Sequence, residues 1–327
     1  MSILVTGGAG YIGSHTVNIL NKKNYNVIVY DNLSTGHKES VKDNIFIKGD
    51  ILDSALLQKV MQEYSITSVV HFAAYSSVKE STIDPKSYYT NNIKGTLTLL
   101  DTMLAAGVKN LVFSSTAAVY GEPDTNLISE DTYKNPINPY GKTKLALENA
   151  MADYNKAYGL NYIALRYFNA CGADPEGNIG EDHENESHLI PLILKACLNN
   201  TPIKIFGDDY PTSDGTCIRD YIHVNDLSDA HYLALKALEE KTISADYFNL
   251  GNGNGFSVKE VIAACESVTG QTIKKEIAPR REGDPPILVA DSKKIRTKLF
   301  WQPKFTNIED IIKTAWQWHK NFPNGYK

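Results

Sequence analysis

The chain has 327 residues, of which 42% are hydrophobic and 22% charged, as is typical of a globular protein with a substantial core. Its formal net charge of -5 argues against nucleic acid as a partner. No apolar run approaches the roughly eighteen residues of a membrane-spanning helix, and the N-terminus lacks the pattern of a signal peptide. The four cysteines lie far apart without a Cys-x-x-Cys pair, so we expect reduced thiols, no membrane attachment and a cytoplasmic location.

The first half of the chain alternates short β-branched runs with helical patterns. The predicted strands are Ile3–Thr6, Val27–Tyr30, Ile45–Ile47, Ser68–Phe72, Leu111–Ser114 and Tyr162–Arg166. The predicted helices are Ile12–Asn21, Ala55–Glu63, Pro85–Ala106 and Pro139–Ala157. Nearly continuous apolar strands indicate burial on both faces of a parallel sheet. The alternation predicts an α/β fold with a doubly wound, Rossmann-type sheet.

The regular alternation of predicted strands and helices ends after about Phe168. Residues 169–187 are rich in Gly, Asp, Glu and Asn and predict a long loop. The helices predicted beyond it are Leu189–Leu198, Asn225–Leu238, Val258–Val268 and Ile308–Lys320. We expect a nucleotide-binding domain over 1–170, to which a segment near 220–240 returns, and a smaller mixed α/β substrate-binding domain over 171–327.

A glycine-rich turn lies between the first strand and the first helix, at Gly7, Gly10 and Gly13. Glycines allow a tight turn and close approach of a pyrophosphate, whose charge is met by the helix N-terminus. Asp31 ends the second strand, where a carboxylate bonds adenosine ribose hydroxyls and repels a 2′-phosphate, which favours NAD over NADP. The alternative for Asp31 is a helix cap or turn residue. Asp50, which ends the third strand, is either an adenine contact or a turn aspartate.

Tyr140 and Lys144 lie one helical turn apart in Asn-Pro-Tyr-Gly-Lys-Thr-Lys. An ammonium near a phenol favours the phenolate, so we expect Lys144 to lower the pKa of Tyr140. The pair and the glycine turn together suggest an oxidoreductase-type site. The alternatives are a structural tyrosine and a solvated lysine.

Several segments resemble a known family. The glycine turn, Ser114-Ser115-Thr116, the Tyr140/Lys144 pair and Arg166-Tyr167-Phe168-Asn169 resemble the extended short-chain dehydrogenase/reductase superfamily. Downstream segments (206–212, 214–216, 219–224, 249–251, 279–284 and 323–326) resemble the UDP-glucose 4-epimerases within it. The resemblance implies interconversion of UDP-galactose and UDP-glucose through a 4-keto intermediate, with transient hydride transfer to tightly bound NAD. It also implies a homodimer formed through the Pro85–Ala106 and Pro139–Ala157 helices.

The resemblance implies three catalytic residues. Tyr140 is the base and later the acid. Lys144 holds the nicotinamide ribose, and Thr116 bonds the 4-oxygen of the sugar. A buried hydroxyl bonding backbone is the alternative for Thr116. The cofactor contacts implied are Gly7, Gly10, Tyr11, Ile12, Gly13, Asp31, Asn32, Leu33, Ser34, Thr35, Gly36, Asp50, Ile51, Phe72, Ala73, Ala74, Asn91, Ser114, Tyr140, Lys144 and Phe168.

The resemblance also implies a UDP-sugar site with two phosphate-binding arginines, Arg219 and Arg281, for which a surface charge is the alternative. Phe206 is either a uracil-packing ring or a core residue. The full set of substrate contacts implied is Thr116, Asn169, His188, Leu189, Lys204, Ile205, Phe206, Arg219, Arg281, Asp284 and Leu288. No spacing typical of a metal site is evident, so we expect no metal; His15, His71 and His223 are interpreted as structural.

Two departures from the family pattern matter. Many members carry a lysine near the nicotinamide in the loop after Phe72, where this chain has Tyr75-Ser76-Ser77, and the resemblance assigns no contact to Ser76. Leu288 stands where some members have a tyrosine that closes the sugar pocket, which suggests that UDP-GlcNAc and UDP-GalNAc are also accepted. The rivals are a UDP-GlcNAc 4-epimerase, a decarboxylase, a 4,6-dehydratase (against which Ala117-Ala118 argue, because dehydratases carry Asp-Glu there) and a catalytically dead NAD-binding sensor.

Overall fold

The computed structural model describes residues 1–281 and 284–326. Its strands are β1 (Ser2–Thr6), β2 (Asn26–Asp31), β3 (Ile45–Lys48), β4 (Ile66–His71), β5 (Asn110–Thr116), β6 (Leu127–Ile128), β7 (Asn161–Tyr167), β8 (Asn169–Cys171), β9 (Ile203–Phe206), β10 (Ile218–His223), β11 (Ala245–Leu250), β12 (Gly255–Ser257), β13 (Lys275–Ala278) and β14 (Ile287–Ala290). Its α-helices are α1 (Tyr11–Lys22), α2 (Ser54–Glu63), α3 (Val78–Ile83), α4 (Pro85–Tyr88), α5 (Gly95–Ala105), α6 (Pro139–Tyr158), α7 (Leu189–Asn199), α8 (Val224–Glu239), α9 (Val258–Thr269), α10 (Lys293–Lys298) and α11 (Ile308–Asn321). A π-helix (Tyr89–Lys94) joins α4 to α5, and short 3₁₀ helices occur at Lys38–Val41 and Ala117–Val119.

A seven-stranded sheet organises the first half of the chain, in the order β11-β7-β5-β4-β1-β2-β3. All its neighbouring strands are parallel. The strand order reverses between β1 and β4, and ligands of such sheets bind beyond the carboxyl ends of the strands at that point. The predicted doubly wound α/β fold is confirmed.

Both faces of this sheet are covered by helices. Side chains of alternating strand residues, such as Val5 and Val29, pack on one face with Leu20 of α1 and Leu235 of α8. The residues between them point to the other face, where Leu4 and Ile28 pack with helices α2, α5 and α6. Burial on both faces is the physical reason that the strands are continuous apolar runs.

A smaller mixed sheet forms in the second half. It has the order β12-β10-β14-β6, with β8 also paired to β10, and β13 pairs with β9 separately. Its core contains Ile193 of α7, Ile262 of α9 and Ile311 of α11. The returning segment predicted near 220–240 includes α8, which packs against α1, and it extends further than predicted because β11 pairs with β7.

Two sequence-based element predictions are wrong in detail. The continuous helix predicted over Pro85–Ala106 is interrupted by the π-helix, and the loop predicted from residue 169 begins with the short strand β8. Phe72 lies just beyond β4. Within the described residues, no helix is both long and apolar enough to cross a membrane. All four cysteines are buried thiols.

Candidate active site

The glycine turn connects β1 to α1 at the switch point of the sheet. Gly7 has a φ of +69°, and a Cβ there would lie 2.5 Å from the Ala73 nitrogen. A Cβ on Gly13 would lie 2.2 Å from the Gly7 carbonyl oxygen. A Cβ on Gly10 would meet only that carbonyl, at 3.4 Å, and α1 begins with no side-chain cap. Because unpartnered N–H groups at a helix start bind phosphates, this turn fits a dinucleotide pyrophosphate.

Asp31 lies at the end of β2, next to the turn. Its carboxylate accepts hydrogen bonds from the backbone of Ala9 (2.9 Å) and of Leu33 (2.8 Å). Burial raises the pKa of Asp31, and these two bonds oppose the rise. The residue therefore organises the turn, as the turn-residue alternative describes. Each oxygen retains a second lone pair for a ribose hydroxyl.

Asp50 makes the contacts expected of a turn aspartate. Its carboxylate accepts from Asn32 Nδ2 (3.0 Å) and from the Leu52 nitrogen (2.9 Å). Ile51 is 4% exposed and packs in the core. Any adenine contact from this segment must coexist with these interactions.

Helix α6 carries Tyr140 and Lys144 to the carboxyl end of β5. Asn138 caps the helix by accepting from the Gly141 nitrogen at 2.8 Å, and Pro139 occupies its first turn. A Cβ on Gly141 would lie 2.5 Å from the Ala118 carbonyl oxygen, so glycine lets this turn lie against the residues that follow Thr116. The structure thereby brings together the three side chains predicted to be catalytic.

The pKa values of Tyr140 and Lys144 differ from those expected from the sequence. Burial raises the pKa of the Tyr140 phenol to about 12, and the Thr116 hydroxyl only partly opposes it. Burial also lowers the pKa of Lys144 to about 7, although the Glu148 charge opposes this. Lys144 Nζ donates to the Ser114 carbonyl oxygen at 2.8 Å and lies 6.0 Å from the Tyr140 ring centre. The prediction that Lys144 lowers the pKa of Tyr140 is therefore wrong, because burial raises that pKa and only Thr116 opposes the rise.

The structure rejects the non-catalytic alternative for Lys144 and supports the one for Thr116. Lys144 is 2% exposed, so it is not a solvated lysine. Thr116 is 8% exposed, and its Oγ1 accepts from the Ala118 nitrogen at 3.1 Å, as the backbone-bonding alternative describes. Because a hydroxyl both donates and accepts, Thr116 keeps its proton for Tyr140 or for a substrate oxygen.

A buried ion pair beneath Lys144 was missed by the sequence reasoning. Glu148 follows Lys144 by one helical turn and accepts from Arg166 Nε at 2.9 Å and from Arg166 Nη2 at 2.5 Å. It also accepts from Ser115 Oγ at 2.5 Å. Arg166 Nη1 donates to the Tyr120 hydroxyl at 2.9 Å. The i, i+4, i+8 spacing of Tyr140, Lys144 and Glu148 on one helix face is the signal that could have found it.

The remaining cofactor-type residues surround the same strand ends. The backbone nitrogens of Phe72 and Ala73 donate to the Thr6 carbonyl oxygen. Ser114 Oγ is hydrogen-bonded to the Tyr167 hydroxyl. Asn91 lies in the π-helix and donates to Asn92 Oδ1 at 3.1 Å. Tyr11 donates its hydroxyl to the Gly172 carbonyl oxygen at 2.6 Å, which ties the turn to the second half of the chain.

Asn92 is a second residue that the sequence reasoning missed. It is fully buried and accepts from the Tyr75 nitrogen at 2.9 Å. Its Nδ2 donates to the Tyr75 carbonyl oxygen (3.0 Å) and to Thr143 Oγ1 (3.2 Å). It thus joins the loop after β4 to α6 between Tyr140 and Lys144. Its position in a π-helix, which often marks functional sites, is not readable from the sequence.

The predicted substrate residues come from several elements of the second half. Arg219 of β10 is paired with Asp284, and the Arg281 guanidinium lies 4.0 Å from the Phe206 ring centre. Asn169 Nδ2 donates to the Asp220 carbonyl oxygen at 3.0 Å. Glu282 and Gly283 of the motif over 279–284 lie outside the described residues.

Other predicted substrate positions differ in what they offer. The Ile205 side chain is 2% exposed in the core, so only its backbone is available. Phe206 is half-buried and carries the Arg281 guanidinium on its ring, unlike a pure core residue. Leu288 packs with Phe168 and Tyr120 in a small apolar cluster. Lys204 is exposed on its strand.

Four side chains in the loop before α7 form a cluster that the sequence reasoning did not anticipate. Glu181, His183, Glu186 and His188 place their ligand-type atoms within 4.8 Å of one another. Burial lowers the pKa of His183, but its bonds to Glu181 and Glu186 outweigh burial and raise it to about 10. His188, a predicted substrate contact, turns its Nδ1 toward Glu181.

The fold and this site define a class of protein: a dinucleotide-binding α/β enzyme whose Tyr-Lys pair lies at the carboxyl end of a parallel sheet. The chain belongs to the NAD dependent epimerase/dehydratase family, whose model matches residues 3–251.

Three similar proteins carry more specific names. The UDP-glucose 4-epimerase of Halalkalibacterium halodurans is 56% identical over 327 residues, which cover 100% of this chain and 98% of the relative. A crystal structure of a UDP-glucose 4-epimerase aligns with a TM-score of 0.97 at 51% identity, covering 100% of both chains. The UDP-glucose 4-epimerase from Bifidobacterium longum in complex with NAD⁺ and UDP aligns with a TM-score of 0.94 at 37% identity, again over 100% of both chains.

Proposed function

We propose that this chain is an NAD-dependent epimerase that interconverts UDP-galactose and UDP-glucose. The observation that carries this proposal is the convergence of Tyr140, Lys144 and Thr116 beside an uncapped helix start at the switch point. Relatives over the full chain length are named UDP-glucose 4-epimerases. The C–H bond at C4 of a pyranose is not acidic, so inversion there needs oxidation to a ketone and reduction on the other face.

The site divides this chemistry between the chain and its cofactor. NAD, when bound, supplies reversible hydride acceptance at C4. Tyr140 takes the proton of the 4-hydroxyl and later returns it to the 4-oxygen. Thr116 Oγ1, anchored by the Ala118 nitrogen, holds the 4-oxygen and lowers the cost of forming the phenolate. Burial raises the pKa of Tyr140 to about 12, and the Thr116 hydroxyl opposes this rise. Positive charge brought by the bound cofactor would lower that pKa further.

We propose that the cofactor contacts predicted from the sequence bind NAD. The Gly7–Gly13 turn and the first N–H groups of α1 bind the pyrophosphate, and Asp31 bonds the adenosine ribose. Lys144, held 2.8 Å from the Ser114 carbonyl oxygen, bonds the nicotinamide ribose. Because a protonated Lys144 has three donors, the Ser114 bond leaves donors free for that contact.

The substrate-binding set is proposed on the second half of the chain. Arg219 and Arg281 bind the diphosphate of the nucleotide sugar. Arg219 is 12% exposed and already paired with Asp284, so it is pre-oriented rather than a freely moving surface charge. Phe206 packs on the uracil ring, with Arg281 at its face. Asn169 and the backbones of His188 and Leu189 complete the contacts.

The direct test uses the purified full chain with UDP-galactose and no added NAD. The proposal predicts UDP-glucose as the product, because a cofactor that ends each cycle in its starting state can stay bound. The matched control is Tyr140→Phe, which should retain the bound dinucleotide but lose turnover. Turnover that is equal in the two proteins would reject the role of Tyr140, and no turnover even with excess NAD would reject the epimerase.

We also propose that the N-acetylated pair UDP-GlcNAc and UDP-GalNAc is accepted. Leu288 packs its apolar side chain against the buried cluster of Val119, Tyr120 and Ile128, so no ring or hydroxyl at this position closes the sugar pocket. Equal assays on UDP-galactose and UDP-GalNAc test this. Leu288→Tyr should lower turnover of UDP-GalNAc at least about tenfold, the size expected of a steric contact in a pocket, while sparing UDP-galactose. No detectable turnover of UDP-GalNAc by the unmodified chain would reject the idea.

We also propose a domain division, an oligomeric state and a location for this chain. The nucleotide-binding domain spans 1–170 with the returning α8 and β11, and the substrate-binding domain comprises the rest of 171–327. The chain is a homodimer that pairs its Pro85–Ala106 and Pro139–Ala157 regions; Tyr89 in the first and Tyr158, directly after the second, are exposed by 45% and 55%. Sedimentation should give twice the mass of one chain. A cytoplasmic location is supported by the four buried thiols.

A further inference from the structure

The loop between β8 and α7 gathers two imidazoles and two carboxylates at one point. His183 Nδ1 lies 3.2 Å from Glu181 Oε1 and 3.5 Å from Glu186 Oε2. His188 Nδ1 lies 3.5 Å from Glu186 Oε1 and is hydrogen-bonded to Glu181 Oε1. The two carboxylate side chains are only 4% and 5% exposed. The two carboxylates therefore face inward, while the His183 and His188 side chains, 30% and 52% exposed, cover them from the solvent side.

The four ligand-type atoms lie within 4.8 Å of one another, somewhat wider than the edges of a small coordination polyhedron. Four N and O ligands at about 2.1 Å from a tetrahedral metal lie about 3.4 Å from one another. His183 Nδ1 lies 3.2 Å from Glu181 Oε1 and 3.5 Å from Glu186 Oε2, whereas His188 Nδ1 lies 3.5 Å from the other Glu186 oxygen, Oε1. Glu186 would therefore turn one oxygen to the metal or bind through both. The fourth imidazole–carboxylate pair, His188 and Glu181, is in direct contact and would open as a metal enters.

A second observation points to a ligand at this place. Among the described residues, Glu186 Oε2 is buried and accepts no well-formed hydrogen bond; His183 Nδ1, 3.5 Å away, is in ion-pair range only. Its Oε1 already accepts from the backbone nitrogens of Ser187 and His188, which hold the carboxylate in place. A buried carboxylate oxygen without a donor is costly, and a cation beside it would remove the cost.

We propose that Glu181, His183, Glu186 and His188 form a binding site for one divalent transition metal ion of the zinc type. Two imidazoles with two carboxylates are a ligand set suited to such ions, whereas Mg²⁺ and Ca²⁺ prefer oxygen ligands alone. With neutral imidazoles the four side chains carry a charge of -2, which a divalent cation neutralises. Four protein ligands leave no open position, so the site is structural rather than catalytic.

The position of the cluster indicates what the metal secures. The Glu181 carbonyl oxygen accepts from Trp318 Nε1 of α11 at 3.2 Å. The His183 ring lies edge-on to Tyr11 in the glycine turn, with ring centres 6.4 Å apart. His188 directly precedes α7. A metal ion bound here would hold this loop against the glycine turn, helix α11 and the first turn of α7.

The experiment measures metal binding on the full chain after treatment with a chelator and its removal. Zn²⁺ is titrated in competition with a chromophoric chelator at pH 8, because bound metal must displace protons from the imidazoles. The proposal predicts one equivalent per chain with a dissociation constant below about 1 μM. His183→Ala and Glu186→Gln should each weaken binding at least about tenfold. Zn²⁺ should also raise the melting temperature of the unmodified chain by at least about 3 °C.

The matched control is His37→Gln. His37 is another imidazole beside a carboxylate of the same loop, with Nε2 3.4 Å from Asp182 Oδ2, but it lies outside the cluster. This variant should keep the full equivalent of Zn²⁺. Co²⁺ gives a second readout, since tetrahedral coordination has characteristic visible absorption that Glu186→Gln should abolish.

Two outcomes would overturn the proposal. One is a closed ion-pair cluster only, seen as no Zn²⁺ bound below about 1 μM. The other is adventitious surface binding, seen as several equivalents that His183→Ala and Glu186→Gln leave unchanged. Both readings are independent of epimerase turnover, so failure here would leave the proposed function intact.

Discussion

Replacing Glu148 by glutamine tests whether the ion pair beneath Lys144 supports the active site. Glu148 and Arg166 are 1% and 2% exposed, and the carboxylate accepts two hydrogen bonds from the guanidinium and one from Ser115. Glutamine keeps the shape but removes the charge and one acceptor oxygen. It therefore leaves a buried guanidinium without its counter-charge.

The expected loss of stability follows from this burial. Breaking a buried ion pair from one side costs about 3–5 kcal/mol, because the remaining charge is uncompensated. The unfolding entropy of about 2.1 cal/mol/K per residue amounts to about 0.7 kcal/mol/K for 327 residues. Glu148→Gln should thus lower the melting temperature by about 4–7 °C. Because Glu148 opposes the burial-driven fall in the Lys144 pKa, kcat should fall as well.

Calorimetry on both proteins, with steady-state turnover of UDP-galactose alongside, measures the two effects. The matched control is Glu240→Gln, which removes an exposed partner 3.6 Å from Lys236 and should shift the melting temperature by less than about 1 °C. A Glu148→Gln protein that melts within 1 °C of this control would refute the reasoning. Arg166 would then be adequately solvated without its partner.

Three further changes have defined outcomes. Tyr140→Phe should lower kcat by about 10²–10⁴-fold with little change in melting temperature, and normal turnover would contradict its role. Asp31→Ala removes two acceptors of the turn and should weaken NAD retention, measured by gel filtration and absorbance, by about 10–100-fold; undiminished retention would count against the ribose contact. Burial lowers the pKa of Lys144 to about 7 from its usual 10.5, so the folded chain binds fewer protons than the unfolded chain between these values and stability rises with pH there. Lys144→Met should remove up to about 1.4 kcal/mol per pH unit of that rise in urea unfolding between pH 7.5 and 9, and an unchanged slope would contradict the burial of an ionisable amine.

The parallel sheet and the placement of Tyr140 are predictable from local sequence. Strands buried on both faces read as continuous apolar runs, so β1, β2 and β5 are found within two residues of their observed ends. Asn138 and Pro139 predict the start of α6, and the i, i+4 spacing of Tyr140 and Lys144 predicts that they share one face of this helix.

Features that depend on distant contacts could not be predicted in this way. β11 joins the main sheet by pairing with β7 across more than eighty residues, and no local pattern specifies that partner. The π-helix at Tyr89–Lys94 has a local pattern like that of an α-helix. The raised pKa of Tyr140 comes from burial by surrounding elements, which the Tyr-x-x-x-Lys spacing does not contain. The Glu181–His188 cluster likewise depends on how the long loop folds back.

Whether the C4 hydrogen moves as hydride is measured most directly with UDP-galactose carrying deuterium at C4 of the sugar, in ordinary water. If Tyr140 moves only the hydroxyl proton while the hydrogen on C4 leaves and returns as hydride, the UDP-glucose formed should retain the deuterium at C4. Mass spectrometry and NMR of the product measure this. Loss of the deuterium to water would contradict the account, because it would mean that the C4 hydrogen is removed as a proton.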